Sequence, residues 1–63
     1  MPTITVKMFE GRTDAVKREY AQALTEVSVR VLGCDASAVD IVFEDVKKSD
    51  WATGGVMWSD REP

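Results

Sequence analysis

The hydrophobic period of this chain changes twice before residue 47, and no other feature constrains the fold as tightly. Residues 3–8, Thr-Ile-Thr-Val-Lys-Met, alternate, with Ile4, Val6 and Met8 on one side and Thr3, Thr5 and Lys7 on the other. A period of two in a β-branched run predicts a half-buried strand. Glu10-Gly11-Arg12 reads as a turn, in which Gly11 is free to take positive φ. The period then lengthens. Val16, Tyr20, Ala23, Leu24, Val27 and Val31 are spaced as one face of an α-helix. Thr13 or Asp14 is placed to cap its start and Gly33 to close it, so the helix is expected to run to about Leu32, with Tyr20 in the core. Val39–Val46 returns to alternation, with Val39, Ile41 and Phe43 opposite Asp40, Val42 and Glu44. Strand, helix, strand in this order is a βαβ unit, whose strands are parallel and whose crossover is right-handed. Trp51-Ala-Thr-Gly-Gly predicts the turn of a short C-terminal hairpin. Beyond it, Met57 and Trp58 are available to dock on a neighbour. The expected fold is α/β, one domain over residues 1–63.

Size turns this topology into a statement about assembly. The chain has 63 residues, and a chain this small buries only about 60% of its unfolded surface. A further source of stability is needed. One cysteine cannot close an internal disulfide, and one cysteine without histidine does not make a structural zinc site. Oligomerisation remains, and it suits a two-stranded sheet that leaves edges and one face uncovered. The net charge of −3 and the lack of a basic patch argue against nucleic acid and anionic membrane as partners. No apolar run approaches the ~20 residues of a membrane span. The start, Met-Pro-Thr-Ile-Thr-Val, has no charged leader before an apolar core, and the lone Cys34 fits a reducing compartment, so the expected location is the cytosol.

The chain contains no histidine, which removes the commonest general base and the Ser-His-Asp and Cys-His nucleophile systems. Acid–base chemistry near neutral pH must then use a perturbed carboxylate, lysine or cysteine, or the terminal amine. Cys34 follows a helix C-terminus, which disfavours a thiolate. Glu44 and Asp45 are adjacent in a strand and face opposite sides, so they do not make a carboxylate pair. No phosphate loop or cofactor motif is present, and neither a cofactor nor a metal is expected.

Met1-Pro2, the alternating strand, Glu10-Gly11-Arg12-x-Asp14, the capped helix, Glu44, Trp51 and Gly54-Gly55 together form a pattern that closely resembles the 4-oxalocrotonate tautomerase family, over nearly the whole chain. The resemblance implies a hexamer of βαβ subunits, a trimer of dimers, in which a proton moves between the oxygen and carbon ends of a conjugated enol or dienol acid. It implies that Met1 is removed and that the secondary amine of Pro2 is the base. Desolvation and a nearby cation both lower the pKa of such an amine toward the working range; Trp51 is placed to supply the first and Arg12 the second. Arg12 would also bind a substrate carboxylate through its planar fork. Asp40 departs from the pattern, because close relatives carry a second arginine there, contributed from a neighbouring subunit, that polarises the keto oxygen and holds the other carboxylate. The reversed charge admits three readings: a substrate with one carboxylate, substitution by Arg61, Lys7 or Lys48, or a mixed oligomer whose other chain supplies an arginine. Two alternatives therefore stand beside a homohexameric enzyme of 2-oxo or enol acids in aromatic-compound breakdown. One is a subunit of a heteromeric enzyme; the other is a non-catalytic binding subunit.

Overall fold

The computed structural model describes residues 2–61. Strand β1 spans Thr3–Phe9, helix α1 Asp14–Leu32, β2 Asp40–Val46, β3 Ala52–Thr53 and β4 Val56–Met57. Single 3₁₀ turns at Ala36–Ala38, Lys48–Asp50 and Trp58–Asp60 link or follow them. β1 and β2 pair in parallel from Thr3↔Asp40 through Phe9↔Val46, and β3 and β4 form a separate antiparallel hairpin. The expected βαβ unit and hairpin are both present.

Local chemistry accounts for the boundaries. Thr13 is the N-cap, and its hydroxyl accepts from the Val16 amide at 3.3 Å. Gly33 closes the helix at φ 71°, donating its amide to Val29 O at 3.0 Å. Gly54 and Gly55 lie at φ 63° and 82°, the two positive values that a two-residue hairpin turn of the primed type requires. β1 runs one residue further than expected, to Phe9, and by alternation Phe9 joins Thr3, Thr5 and Lys7 on the sheet face away from the helix.

The helix has two working faces. Lys17, Ala21, Leu24, Thr25, Ser28 and Val29 are the less exposed positions and lie toward the sheet. Lys17 Nζ reaches Asp45 Oδ2 at 2.7 Å, and the buried Ser28 hydroxyl donates to Leu24 O at 2.8 Å. The apolar stripe read from the sequence lies mostly beside this face rather than on it. Val16, Tyr20, Val27 and Val31 are 46%, 44%, 47% and 65% exposed. Tyr20 is therefore not a core residue of the protomer; its ring lies at the margin, 6.1 Å from that of Phe43.

No hydrophobic residue is fully buried among the described residues. The accessible surface is 4939 Å², against about 4,000 Å² for a folded monomer of this mass. The radius of gyration is 14.9 Å, against about 11 Å for a compact chain of this length. The chain is thus an open layer with exposed apolar surface, not a unit closed around its own core.

Candidate functional site

The four residues singled out in the sequence divide between the two ends of β1. Pro2 immediately precedes the strand, and its carbonyl accepts the Asp40 amide at 3.0 Å. Asp40 is the register partner of Thr3, so both side chains lie on the face away from the helix, and both are exposed. Arg12 and Trp51 lie beyond the other end. At about 3.3 Å per residue, the seven residues of β1 separate the two groups by about 20 Å. One protomer therefore does not bring Pro2 together with Arg12 or Trp51.

The Arg12 end is built in two parts. On the helix side, Arg12 lines a groove of about 340 Å³ with Val6, Met8, Val16, Lys17 and Tyr20. The groove is mainly apolar, and the guanidinium stands at a helix N-terminus, where the backbone also favours an anion. Glu10 and Asp14 flank Arg12 in sequence, yet neither forms an ion pair with it among the described residues, whose salt bridges are Lys7–Glu44 and Lys17–Asp45.

On the opposite side of the sheet, Phe9 organises an aromatic cluster. Its ring lies 4.7 Å from that of Trp51, edge-on, and 5.4 Å from that of Trp58. Trp58 Nε1 donates to Thr53 Oγ1 at 2.9 Å, and its amide donates to Trp51 O at 2.8 Å. Arg61 stacks 4.4 Å over Trp58 and donates to Thr53 O at 2.9 Å, while Lys48 sits 5.7 Å from the Phe9 ring centre. Trp58 thus packs against Phe9 within its own chain. The sequence reading missed Phe9, and the available signal was its position as the next outward residue of the alternation.

Lys7, Lys48 and Arg61, the cations that could replace an arginine at Asp40, are all placed elsewhere. Lys7 pairs at 3.9 Å with Glu44, its register partner on the same sheet face. Lys48 and Arg61 belong to the aromatic end. Glu44 and Asp45 take different lysines on opposite faces, as their adjacency in the strand required. No helix among the described residues is long and apolar enough to cross a membrane.

A βαβ layer with exposed apolar faces carries an arginine beside an apolar groove at one end of β1 and a proline at the other. The matches with known proteins identify the family. Residues 2–61 match the family model described as tautomerase enzyme. The chain is 37% identical over 62 residues to 2-hydroxymuconate tautomerase of Bacillus subtilis, covering 98% of this chain and 100% of that protein. It is 37% identical over 60 residues to a probable tautomerase of Listeria monocytogenes, covering 95% and 98% of the two chains. A crystal structure of a 4-oxalocrotonate tautomerase homologue superposes with a TM-score of 0.89 at 38% identity, covering all of both chains. The chain belongs to the tautomerase family, in its 4-oxalocrotonate tautomerase branch, and is an isomerase.

Proposed function

We propose that this enzyme is a cofactor-free keto–enol tautomerase of 2-hydroxydienoic acids, with Pro2 as the base and Arg12 holding the substrate carboxylate. The observation that carries this reading is the division of the site. Pro2 is held at the start of β1 by the Asp40 amide, whereas Arg12, which forms no ion pair among the described residues, and the aromatic wall at Trp51 lie at the other end. Two copies running in opposite directions would bring the Pro2 end of one to the Arg12 and Trp51 end of the other. Trp51 would then shield the amine from water while Arg12 placed a positive charge near it, and both influences favour the neutral, basic form. The removal of Met1 that frees this amine lies outside the described residues.

The proton balance is simple. The Pro2 nitrogen lone pair accepts the enol O–H proton, and the O–H electrons become the second bond of the carbonyl. The displaced diene electrons take a proton back from the prolinium at carbon. The amine returns to its starting state, and no cofactor is consumed. Arg12 stabilises the negative charge that develops on the conjugated acid during the transfer.

The reading extends to a homohexamer, a trimer of dimers, acting in the cytosol within aromatic-compound breakdown. The apolar helix stripe and the bare sheet face supply the surfaces such an assembly would bury. The test combines two measurements on one preparation: intact mass, and the rate of ketonisation of a 2-hydroxydienoate against pH. Loss of Met1 is expected, with a rate that rises through an apparent pKa below that of an ordinary secondary amine. Retention of Met1 by natively produced, fully active protein would overturn the mechanism, because the Pro2 nitrogen would then be an amide.

A further inference from the structure

Two ion pairs join elements of this chain among the described residues, and they are not built alike. Lys7 and Glu44 stand 3.9 Å apart, both exposed, a loose pair of the kind that contributes little. Lys17 Nζ and Asp45 Oδ2 meet at 2.7 Å between α1 and β2, with side chains 22% and 39% exposed. This short, partly shielded pair stands beside the Arg12 groove. Asp45 is the register partner of Met8, and Met8 and Lys17 both line that groove.

The next residue of β2 acts on the same stretch of chain. Val46 O accepts the Glu10 amide at 3.0 Å. Two consecutive residues of β2 therefore hold the backbone on both sides of Arg12, Val46 before it at Glu10 and Asp45 after it at Lys17. Between these anchors Gly11 lies at φ 119°, with nothing within 4 Å of the place a Cβ would take. No side-chain packing at Gly11 fixes the turn, and the Arg12 guanidinium forms no ion pair among the described residues. The aim of the guanidinium depends on the anchored backbone that carries it.

We propose that Lys17 and Asp45 are a positioning pair, whose contact fixes the start of α1 over β2 and so aims Arg12 at the substrate carboxylate. This rests on the reading of Arg12 as the carboxylate ligand. Neither Lys17 nor Asp45 touches the substrate. A planar fork binds a carboxylate well only when two N–H bonds are in line at once, so a small shift of its backbone weakens the contact.

The experiment compares the assembled wild-type enzyme with Lys17→Met, Asp45→Asn, their double variant, Lys17→Arg and Arg12→Ala. Three quantities are read: ketonisation kinetics with 2-hydroxypenta-2,4-dienoate, binding of 2-oxohexanoate by calorimetry, and amide hydrogen exchange over residues 10–17. Lys17→Met and Asp45→Asn should each raise KM and the 2-oxohexanoate dissociation constant by about three- to tenfold, with kcat within about twofold of wild type. The double variant should match either single one, because two partners that act as a unit are lost only once. Lys17→Arg keeps the charge pair and should stay within about twofold of wild type. Exchange at the Glu10, Val16 and Lys17 amides should quicken in the three variants that break the pair. A loss of affinity in Lys17→Met with none in Asp45→Asn would make Lys17 a ligand in its own right and overturn the proposal. So would additive losses in the double variant, or KM and binding that stay at wild-type values whatever the exchange rates do. If Arg12→Ala binds 2-oxohexanoate as tightly as the wild type, the reading of Arg12 fails and carries the proposal with it. A loss in Arg12→Ala without one in Lys17→Met and Asp45→Asn overturns the positioning pair alone. Should Lys17→Met fail to assemble, Asp45→Asn against Lys17→Arg carries the comparison.

Discussion

The two ends of β1 are built to opposite standards. Beyond Phe9 the protomer packs on itself: three aromatic rings meet, a hairpin closes over them, and Arg61 and Lys48 lie on their faces. At Pro2 the backbone is pinned to β2 by one hydrogen bond, and the nearest charged side chain in the register is an exposed carboxylate. The end that would hold the substrate is finished within the chain, while the end that would carry the base is left open. A base in an unfinished setting is useful only when another surface covers it. If Pro2 and Arg12 serve one site as proposed, the functional unit is a pair of copies at least.

The sharpest way to break this comparison is to separate the two ends genetically. Pro2→Ala should lower kcat by about 10²–10⁴-fold, the usual worth of a positioned base. Arg12→Ala should lower kcat/KM by about tenfold to a hundredfold, as expected for lost charge-assisted hydrogen bonds. Mixed by dissociation and reassembly, the two damaged variants should recover about one quarter of wild-type activity, because random pairing places an intact Pro2 against an intact Arg12 at that frequency. Turnover of the mixture that stays at the mean of the two variants would show that both residues serve the same protomer.

The next test concerns what covers the open surfaces. Val27 is 47% exposed in the protomer, where a polar replacement should change stability by no more than about 0.5 kcal/mol. If the helix stripe is an interface, Val27→Asp instead places an unpaired charge in a desolvated surface, at a cost of several kcal/mol per site. Sedimentation velocity should then show the assembly falling to smaller species, with ketonisation lost alongside. A variant of unchanged sedimentation would remove the stripe from the interface.

Trp51 tests the finished end. Truncation to Ala removes the 4.7 Å contact with Phe9, and a half-buried aromatic of this kind contributes about 2 kcal/mol. The denaturation midpoint should fall accordingly. The apparent pKa of the rate profile should rise, because a better-solvated amine holds its proton more readily. A loss of stability with no change in the profile would leave Trp51 as a packing residue only.

Much of this was legible in the sequence, and the failures share a cause. Period and caps located every main element within about a residue, because alternation at Ile4, Val6 and Met8, the Thr13 cap and the positive φ of Gly33 and of Gly54-Gly55 are local requirements. The apolar stripe through Tyr20 and Val27 was legible as a stripe but not as an outward face. A hydrophobic pattern records all the burial a residue meets in the assembled protein, without saying which chain provides it. The packing of Phe9 and Trp58 within the chain went unread for a similar reason. Their contacts are long-range, and no spacing rule ties a strand end to a tail residue nearly fifty positions away. The candidate site itself was readable as a set of residues. Its division into two ends was implicit in the parallel topology, since Pro2 and Arg12 flank the same strand.

The smallest effect is expected at Thr13, and it bears directly on how finely the Arg12 end is set. The Thr13 hydroxyl holds the Val16 amide at 3.3 Å, one residue after Arg12 and within the helix turn that forms the Arg12 groove. Thr13→Ala removes one of the few partners available to the first-turn amides and should cost about 1 kcal/mol. That loss is small against the stability of an assembled enzyme, so the fold and the sedimentation profile should survive. The groove, however, would lose the fixed helix start that aims the guanidinium. KM for a monocarboxylate should therefore rise while kcat stays close to wild type, since the amine at the other end of the strand is untouched. A fall in kcat of the same size as the rise in KM would mean that the helix start influences the Pro2 end as well, and the two ends would then be one mechanical unit instead of two.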